Sequence, residues 1–271
     1  MRLRRTAVAC LPLLLPLTAC GGGVEVTEAT DPHQVPRPGD ASSTRAVFVR
    51  SGELPSEDDV ETYFEALASR DLDDLEAARE LTLEGSVAHA VAEYHVAIVE
   101  AALDGGATPA DLEADIEDVD GGYRVCAAPG ECNEFTDIQG AAGKLVFFQS
   151  DGRDFTGRIS LGTGEEIEVP GLGTVTFRVA LERVEPQEVI VMLDVATAGE
   201  PIAVGLDSAT YRDAEGRTTE ASEDSMGPRD VDAGSTVTVA IIFAEAHHGG
   251  TVTLPLSTGD GAEQDVTFAI R

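Results

Sequence analysis

Few side chains in this sequence are equipped for chemistry. It holds four cysteines, five histidines and four tyrosines, no tryptophan, and enough acid to bring the net charge to −32. Cys126 and Cys132 flank a turn-forming Ala-Pro-Gly-Glu stretch. Redox pairs usually have two residues between their cysteines, and a zinc site needs further Cys or His ligands close by. Five residues separate these two and no histidine is near, so a structural disulfide pinning a hairpin is favoured. Closing so short a loop gains only modest entropy. His89 and His95 fall on one predicted helix. At about 100° per residue they stand about 120° apart, so they do not form the i, i+4 pair that shares a metal. His247 and His248 precede Gly249-Gly250 and read as a solvent-exposed hairpin tip. The acidic run Asp111 to Asp120 fails the calcium-loop template. Counted from Asp115, the third position is Glu117, but the fifth is Val119 and the sixth Asp120 where glycine is required. That run reads as a solvated acidic face. No Ser/His/Asp order, glycine-rich phosphate loop or metalloprotease motif is present, and no metal or cofactor is implied.

The N-terminus is more specific. Arg2, Arg4 and Arg5 precede an apolar run from Thr6 to Leu17. That run is shorter than the about 20 residues a membrane span needs, and Pro12 and Pro16 oppose a stable helix. A charged start, a short apolar core and small residues at the exit read as a secretory signal over residues 1–19. Arg4-Arg5 leaves both the general and the twin-arginine export routes open. Leu17-Thr18-Ala19-Cys20 resembles the lipobox of bacterial lipoproteins. The resemblance implies a diacylglyceryl group on the Cys20 thiol and cleavage just before it. It further implies a protein held by its lipid on the outer face of the cytoplasmic membrane, where two acyl chains anchor stably and one would not. The alternative is an ordinary signal cut near Ala19 with Cys20 incidental.

Composition narrows the partners. Losing residues 1–19 removes three arginines and no acid, so the mature chain is more acidic still. That charge excludes the footprint of a nucleic-acid binder and opposes anionic lipid heads, leaving the acyl group to hold the membrane. Lys144 is the only lysine, as a GC-rich coding bias of the actinobacterial kind produces. With Cys10 in the signal and Cys20 as anchor, Cys126 and Cys132 remain as a pair outside the reducing cytoplasm.

The elements that must position these groups follow in order. Residues 20–55 read as a flexible tether with Pro32, Pro36 and Pro38, interrupted by a short strand at Ala46 to Val49. Ser56 with Asp59 has capping-box spacing, and Val60, Phe64 and Leu67 share a helical face. Asp71 caps a second helix and Ser86 a third, in which Val87, Val91, Tyr94, Ile98 and Ala102 repeat near 3.6 before Gly105-Gly106. Thr108-Pro109 can open one more turn of helix. Short strands are then expected at Tyr123 to Cys126, Cys132 to Ile138, Lys144 to Gln149 and Phe155 to Ile159. After a turn-rich stretch, LGTGEEIEVPGLG, the chain alternates as an all-β domain. Val189 to Val195 is a more fully apolar strand, as a central sandwich strand can be, and Val237 to Phe243, Val252 to Leu256 and Val266 to Ile270 follow.

The segments VETYFEALASRDLDDLEAARELT, GSVAHAVAEY and CNEFTDIQGAAGKLVFFQSDGRDFTGR resemble the nuclear transport factor 2-like (cystatin-like roll) families over residues 56–160. The segments EVIVMLDV, SATYRDAEGRTTEAS and DVDAGSTVTVAIIF are similar to the telokin-like, immunoglobulin-like modules of secreted bacterial lipoproteins, over 161–271. Asp194 stands where that family often has Asn. The fold class expected is therefore an α+β roll, three helices on an antiparallel sheet, followed by an immunoglobulin-like β-sandwich. The roll resemblance implies a cone-shaped pocket to which Tyr63, His89, Tyr94 and His95 are candidates to contribute. The leading expectation is a non-enzymatic interaction module binding a cell-envelope protein or wall component, with sandwich edge strands as contact surfaces. The alternative is a small-ligand carrier or an acid–base enzyme of the isomerase or hydratase type using the roll pocket.

Overall fold

The computed structural model describes residues 52–108, 115–128, 131–259 and 261–271. The signal, Cys20, the tether to residue 51 with its Ala46 to Val49 strand, Pro109, residues 111–114 and Pro129-Gly130 lie outside them. Three helices open the described chain: α1 (Glu57–Ser69), α2 (Leu72–Glu80) and α3 (Val87–Asp104). Each starts at a polar cap. Ser56 Oγ accepts from the Asp59 amide at 3.2 Å, Asp71 accepts from Asp73 and Asp74, and Ser86 Oγ accepts from His89 at 3.1 Å. One such cap contributes about 1 kcal/mol. The Asp59 carboxylate also accepts from the Ser56 hydroxyl at 2.6 Å.

Four antiparallel strands follow as a meander: β1 (Asp115–Val119), β2 (Gly122–Ala128), β3 (Glu131–Ala141) and β4 (Lys144–Ser150). Cys126 and Cys132 face each other across β2 and β3 and are disulfide-bonded, their Cα atoms 4.0 Å apart. Phe64 of α1 stacks on Phe135 at 4.5 Å and meets Phe148 edge-on at 5.2 Å. This ring cluster fixes α1 to the sheet.

The regular elements in the rest of the described chain are strands apart from one short 3-10 turn, Leu206–Ser208. Its strands are β5 (Ile159–Leu161), β6 (Glu166–Val169), β7 (Gly173–Arg183), β8 (Glu188–Thr197), β9 (Ile202–Val204), β10 (Thr210–Arg212), β11 (Thr218–Glu220), β12 (Asp230–Val231), β13 (Thr236–Ala244), β14 (Thr251–Thr258) and β15 (Glu263–Ala269). They form two antiparallel sheets. One runs β13-β8-β7-β5, with β6 further along β7; the other runs β11-β10-β14-β9-β12, with β15 on β14. The sheets share an apolar core in which Val191, Leu193 and Ile241 meet Tyr211, Leu254 and Phe268.

The outer face of the first of these sheets is not left to solvent. Val179, Leu181, Ile190, Met192 and Ala240 belong to the same core as the helices. That is why the β8 sequence is apolar at nearly every position: a strand covered on both faces loses its alternation. α3 lies between β4 on one side and β7, β8 and β13 on the other. Its fully buried alanines, Ala88, Ala90, Ala92, Ala97 and Ala101, allow both layers to approach closely. One core therefore crosses the 160/161 division seen in the sequence.

A polar cluster joins the same layers. Arg178 of β7 binds Glu93 of α3 at 2.7 Å, Asp194 of β8 at 3.3 Å, and Glu100 of α3. Arg79 of α2 reaches the other oxygen of Glu93 at 2.7 Å. Burial would lower the Arg178 guanidinium, but Glu93, Asp194 and Glu100 outweigh it and raise it well above its usual value. At the far end of α3, Asp104 Oδ2 accepts from the Thr238 amide of β13 at 2.7 Å.

Three local expectations change. Asp115–Val119 of the acidic run pairs with β2 as an edge strand, its acids remaining exposed. Glu166–Val169, inside the turn-rich stretch, pairs with β7. Phe155 to Arg158 is a turn, closed by the Arg158 amide on the Phe155 carbonyl at 3.0 Å, and the strand begins at Ile159. No described helix is long and apolar enough to cross a membrane.

Candidate ligand cavity

A cavity of about 590 Å³ lies where α1 and α3 meet the meander and the α3-facing side of β7, β8 and β13. Its long wall is one stripe of α3: Val91, Tyr94, His95, Ile98, Val99 and Ala102. Residues three and four apart on a helix share a face, so this repeat projects as a single ridge. α1 adds Phe64, Leu67 and, just past its end, Arg70. The meander contributes Val125, Asn133 and Phe135. Leu181, Arg183, Ile190 and Ile242 close the far side, with Met226.

The polar groups gather around Tyr94 and His95, whose rings meet edge to face at 5.4 Å. Burial lifts the Tyr94 phenol to about 12, with Arg183 and Arg70 opposing the rise and Glu188 adding to it. Burial, and then the positive Arg70, brings the half-buried His95 imidazole down to about 4. Both rings are therefore neutral at pH 7. A general acid or base works best with a pKa near the working pH; these two instead offer neutral hydrogen-bond donors and acceptors. Arg183 is held by the Glu188 carboxylate at 2.9 Å. Arg70 is exposed and has no ion-pair partner among the described residues.

Tyr63 and His89, expected at the same pocket, do not line it. Tyr63 lies one helical position from Phe64, about 100° around α1, and is fully buried. Its hydroxyl donates to the Ala88 carbonyl at 2.8 Å, and burial raises its phenol well above the ordinary range. His89 sits at the start of α3 with Nδ1 2.9 Å from Thr82 Oγ1. The Thr82 proton goes to the Arg79 carbonyl, so His89 donates there. Burial lowers its imidazole, against the pull of Glu93.

Of the His247-His248 pair, expected at an open tip, only the second member is placed differently. His247 is exposed, with Nδ1 3.1 Å from Glu182 Oε1. His248 is half-buried rather than at an open tip. Its amide donates to Glu182 Oε2 at 2.9 Å and its Nε2 lies 2.9 Å from Ser160 Oγ. Burial, opposed by Glu182, lowers its imidazole. Sequence order gave no sign of this contact, since Ser160 and His248 are separated by most of the β domain. The fully buried Ser160 hydroxyl donates its single proton to the Arg271 backbone oxygen. Its contact with His248 therefore runs from Nε2–H to the hydroxyl oxygen, the reverse of a base activating a nucleophile. The group is a structural latch. Among the described residues, no cluster of three or more His, Cys, Asp or Glu could hold a metal.

No protein-family model matches this sequence, and no curated protein matches it either. Among solved structures the chain is similar to a conserved hypothetical protein from Bacillus anthracis, with 10% identity and a TM-score of 0.24. The match covers 40% of this chain and 97% of that one.

Proposed function

We propose that this chain is a lipid-anchored protein of the outer face of the cytoplasmic membrane that binds a small, largely apolar molecule beside α3. The cavity carries the reading. Small-molecule sites typically enclose about 300–1,000 Å³ between apolar walls with a few placed polar groups, and the α3 cavity, at about 590 Å³, has that make-up. A filled core at this position would instead have favoured an interaction module that meets its partners only at its surface. The neutral state of Tyr94 and His95 favours a carrier or sensor over an acid–base enzyme.

The finer architecture belongs to the same proposal. Three helices before a four-stranded antiparallel meander support a nuclear transport factor 2-like roll over 56–160. Two facing antiparallel sheets support an immunoglobulin-like sandwich over 161–271. The membrane address rests on Leu17-Thr18-Ala19-Cys20, and a cell-envelope protein or wall component is its natural neighbour there. Native mass spectrometry of the protein, extracted gently from its own membranes, tests both halves. A small molecule leaving on activation, from a chain acylated at Cys20, is the expected result. A bare chain, or one carrying only another polypeptide, would overturn the carrier reading; an unmodified Cys20 would overturn the anchor.

A further inference from the structure

We infer that the molecule bound in this cavity is an amphipathic carboxylic acid, its head at Arg70 and its apolar body along the α3 stripe. This rests on the carrier reading and specifies its ligand class. In a chain of net charge −32, most arginines find carboxylates: Arg79, Arg124, Arg153, Arg178, Arg183, Arg217 and Arg229 each form at least one ion pair, while Arg158 and Arg212, which do not line the cavity, form none among the described residues. Arg70 lines the cavity and forms none among the described residues. It also occupies an unfavourable backbone position. As the C-cap of α1 it is left-handed, with φ 57°, where glycine or asparagine fits best and another L-residue is disfavoured. An unpaired guanidinium is thus placed at the cavity wall at some local cost.

The rest of the cavity completes the recognition. Burial lowers His95 and raises Tyr94; the positive Arg70 adds to the first and, after Arg183, opposes the second. Arg183 stands on the opposite wall, its charge shared with Glu188. A guanidinium pairs with a carboxylate through parallel charge-assisted hydrogen bonds, and a neutral imidazole or phenol can donate to a remaining oxygen. Most of the rest of the wall is apolar, with Leu67, Ile98, Val99, Met226 and Ile242 beside the polar Asn133 and Ser150. At ~1.5 Å per residue, the part of the α3 stripe beyond these polar rings, from His95 to Ala102, runs about 10 Å. That length suits an extended alkyl chain rather than a compact metabolite.

The test is titration calorimetry of the full chain with three probes sharing one tail: dodecanoate, 1-dodecanol and dodecyltrimethylammonium. Dodecanoate is expected to bind with one-to-one stoichiometry, and dodecanol about tenfold or more weaker, as the loss of one charge-assisted hydrogen bond implies. Arg70→Asn suits the left-handed backbone, so its fold is checked by an unchanged melting curve. It should remove the preference for the acid and leave dodecanol binding unchanged, while Arg70→Lys should keep most of the preference. Dodecanol or the ammonium binding as tightly as dodecanoate would overturn the anionic head and leave the carrier reading standing. An Arg70→Asn chain that retains the full preference would do the same. No binding by any of the three would overturn both.

Discussion

Replacing Arg178 by Met should be among the most damaging single substitutions outside the apolar core. The guanidinium is 13% exposed and its main partner Glu93 is 12% exposed, so the pair is effectively interior. Removing one partner of such a pair typically costs about 3–5 kcal/mol, because the remaining charge is stranded. Two features place this case at about 3 kcal/mol. Glu93 keeps Arg79 at 2.7 Å, and Glu100 and Asp194 are 26% and 31% exposed, so water relieves part of their loss. Methionine retains an apolar stem, so packing changes little. The pH dependence follows from Glu93. Burial alone would raise its carboxyl, but Arg178 and Arg79 hold it below the ordinary value of 4.5. A depressed carboxylate contributes stability that is present above its unfolded pKa and lost as pH falls through its folded one. The penalty in Arg178→Met should therefore be full at pH 7 and shrink below about pH 4.5. Urea unfolding followed by circular dichroism at pH 7 and in acid measures it, and a further Glu93→Gln change should recover part of the loss. A cost under about 1 kcal/mol, or the same cost at both pH values, would refute this reasoning.

Two other perturbations have equally definite signs. Reducing the Cys126–Cys132 bridge, or replacing both residues by Ala, should cost about 2 kcal/mol, the loop entropy for a sequence separation of six. A melting temperature indifferent to reductant would contradict that. His95, brought from 6.5 to about 4 by burial and Arg70, contributes stability that is present above pH 6.5 and lost as pH falls toward 4. Its effect is up to about 3 kcal/mol. His95→Gln should lose correspondingly less stability between pH 7 and pH 4.5 in urea melts, and parallel curves for the two chains would rule the titration out.

The helices could be read from the sequence because their signals are local. Ser56, Asp71 and Ser86 each cap the helix they precede, and the Val91, Tyr94, Ile98, Ala102 repeat projects from one face of α3. The long strands β7, β8, β13 and β14 carry runs that place them whatever their neighbours. β1 and β6 carried no such signal. Asp115–Val119 has only two apolar residues among its acids, and Glu166–Val169 lies among glycines, so each is a strand because an adjacent strand supplies its hydrogen bonds. The cavity was half legible. Tyr94 and His95 share the periodic face that lines it, whereas Tyr63 and His89 differ from them only by rotation about a helix axis. Single-residue chemistry does not reveal which rotation meets a wall. Arg70 carried no signal at all: the part proposed for it rests on its left-handed cap, its place at the cavity and its forming no ion pair among the described residues. Leu181, Arg183, Ile190 and Ile242 lie beyond the 160/161 division, and only the packing of α3 against the second sheet brings them to the cavity.

The most direct test of ligand binding beside α3 uses isoleucine methyl groups as reporters. In the full chain with labelled isoleucine δ1-methyls, dodecanoate should shift Ile98, Ile190 and Ile242, which line the cavity. Ile202, Ile241 and Ile270, buried between the two facing sheets, should stay in place. Methyl signals that ignore the ligand, or shifts centred on the residues between the sheets, would contradict a binding cavity at α3.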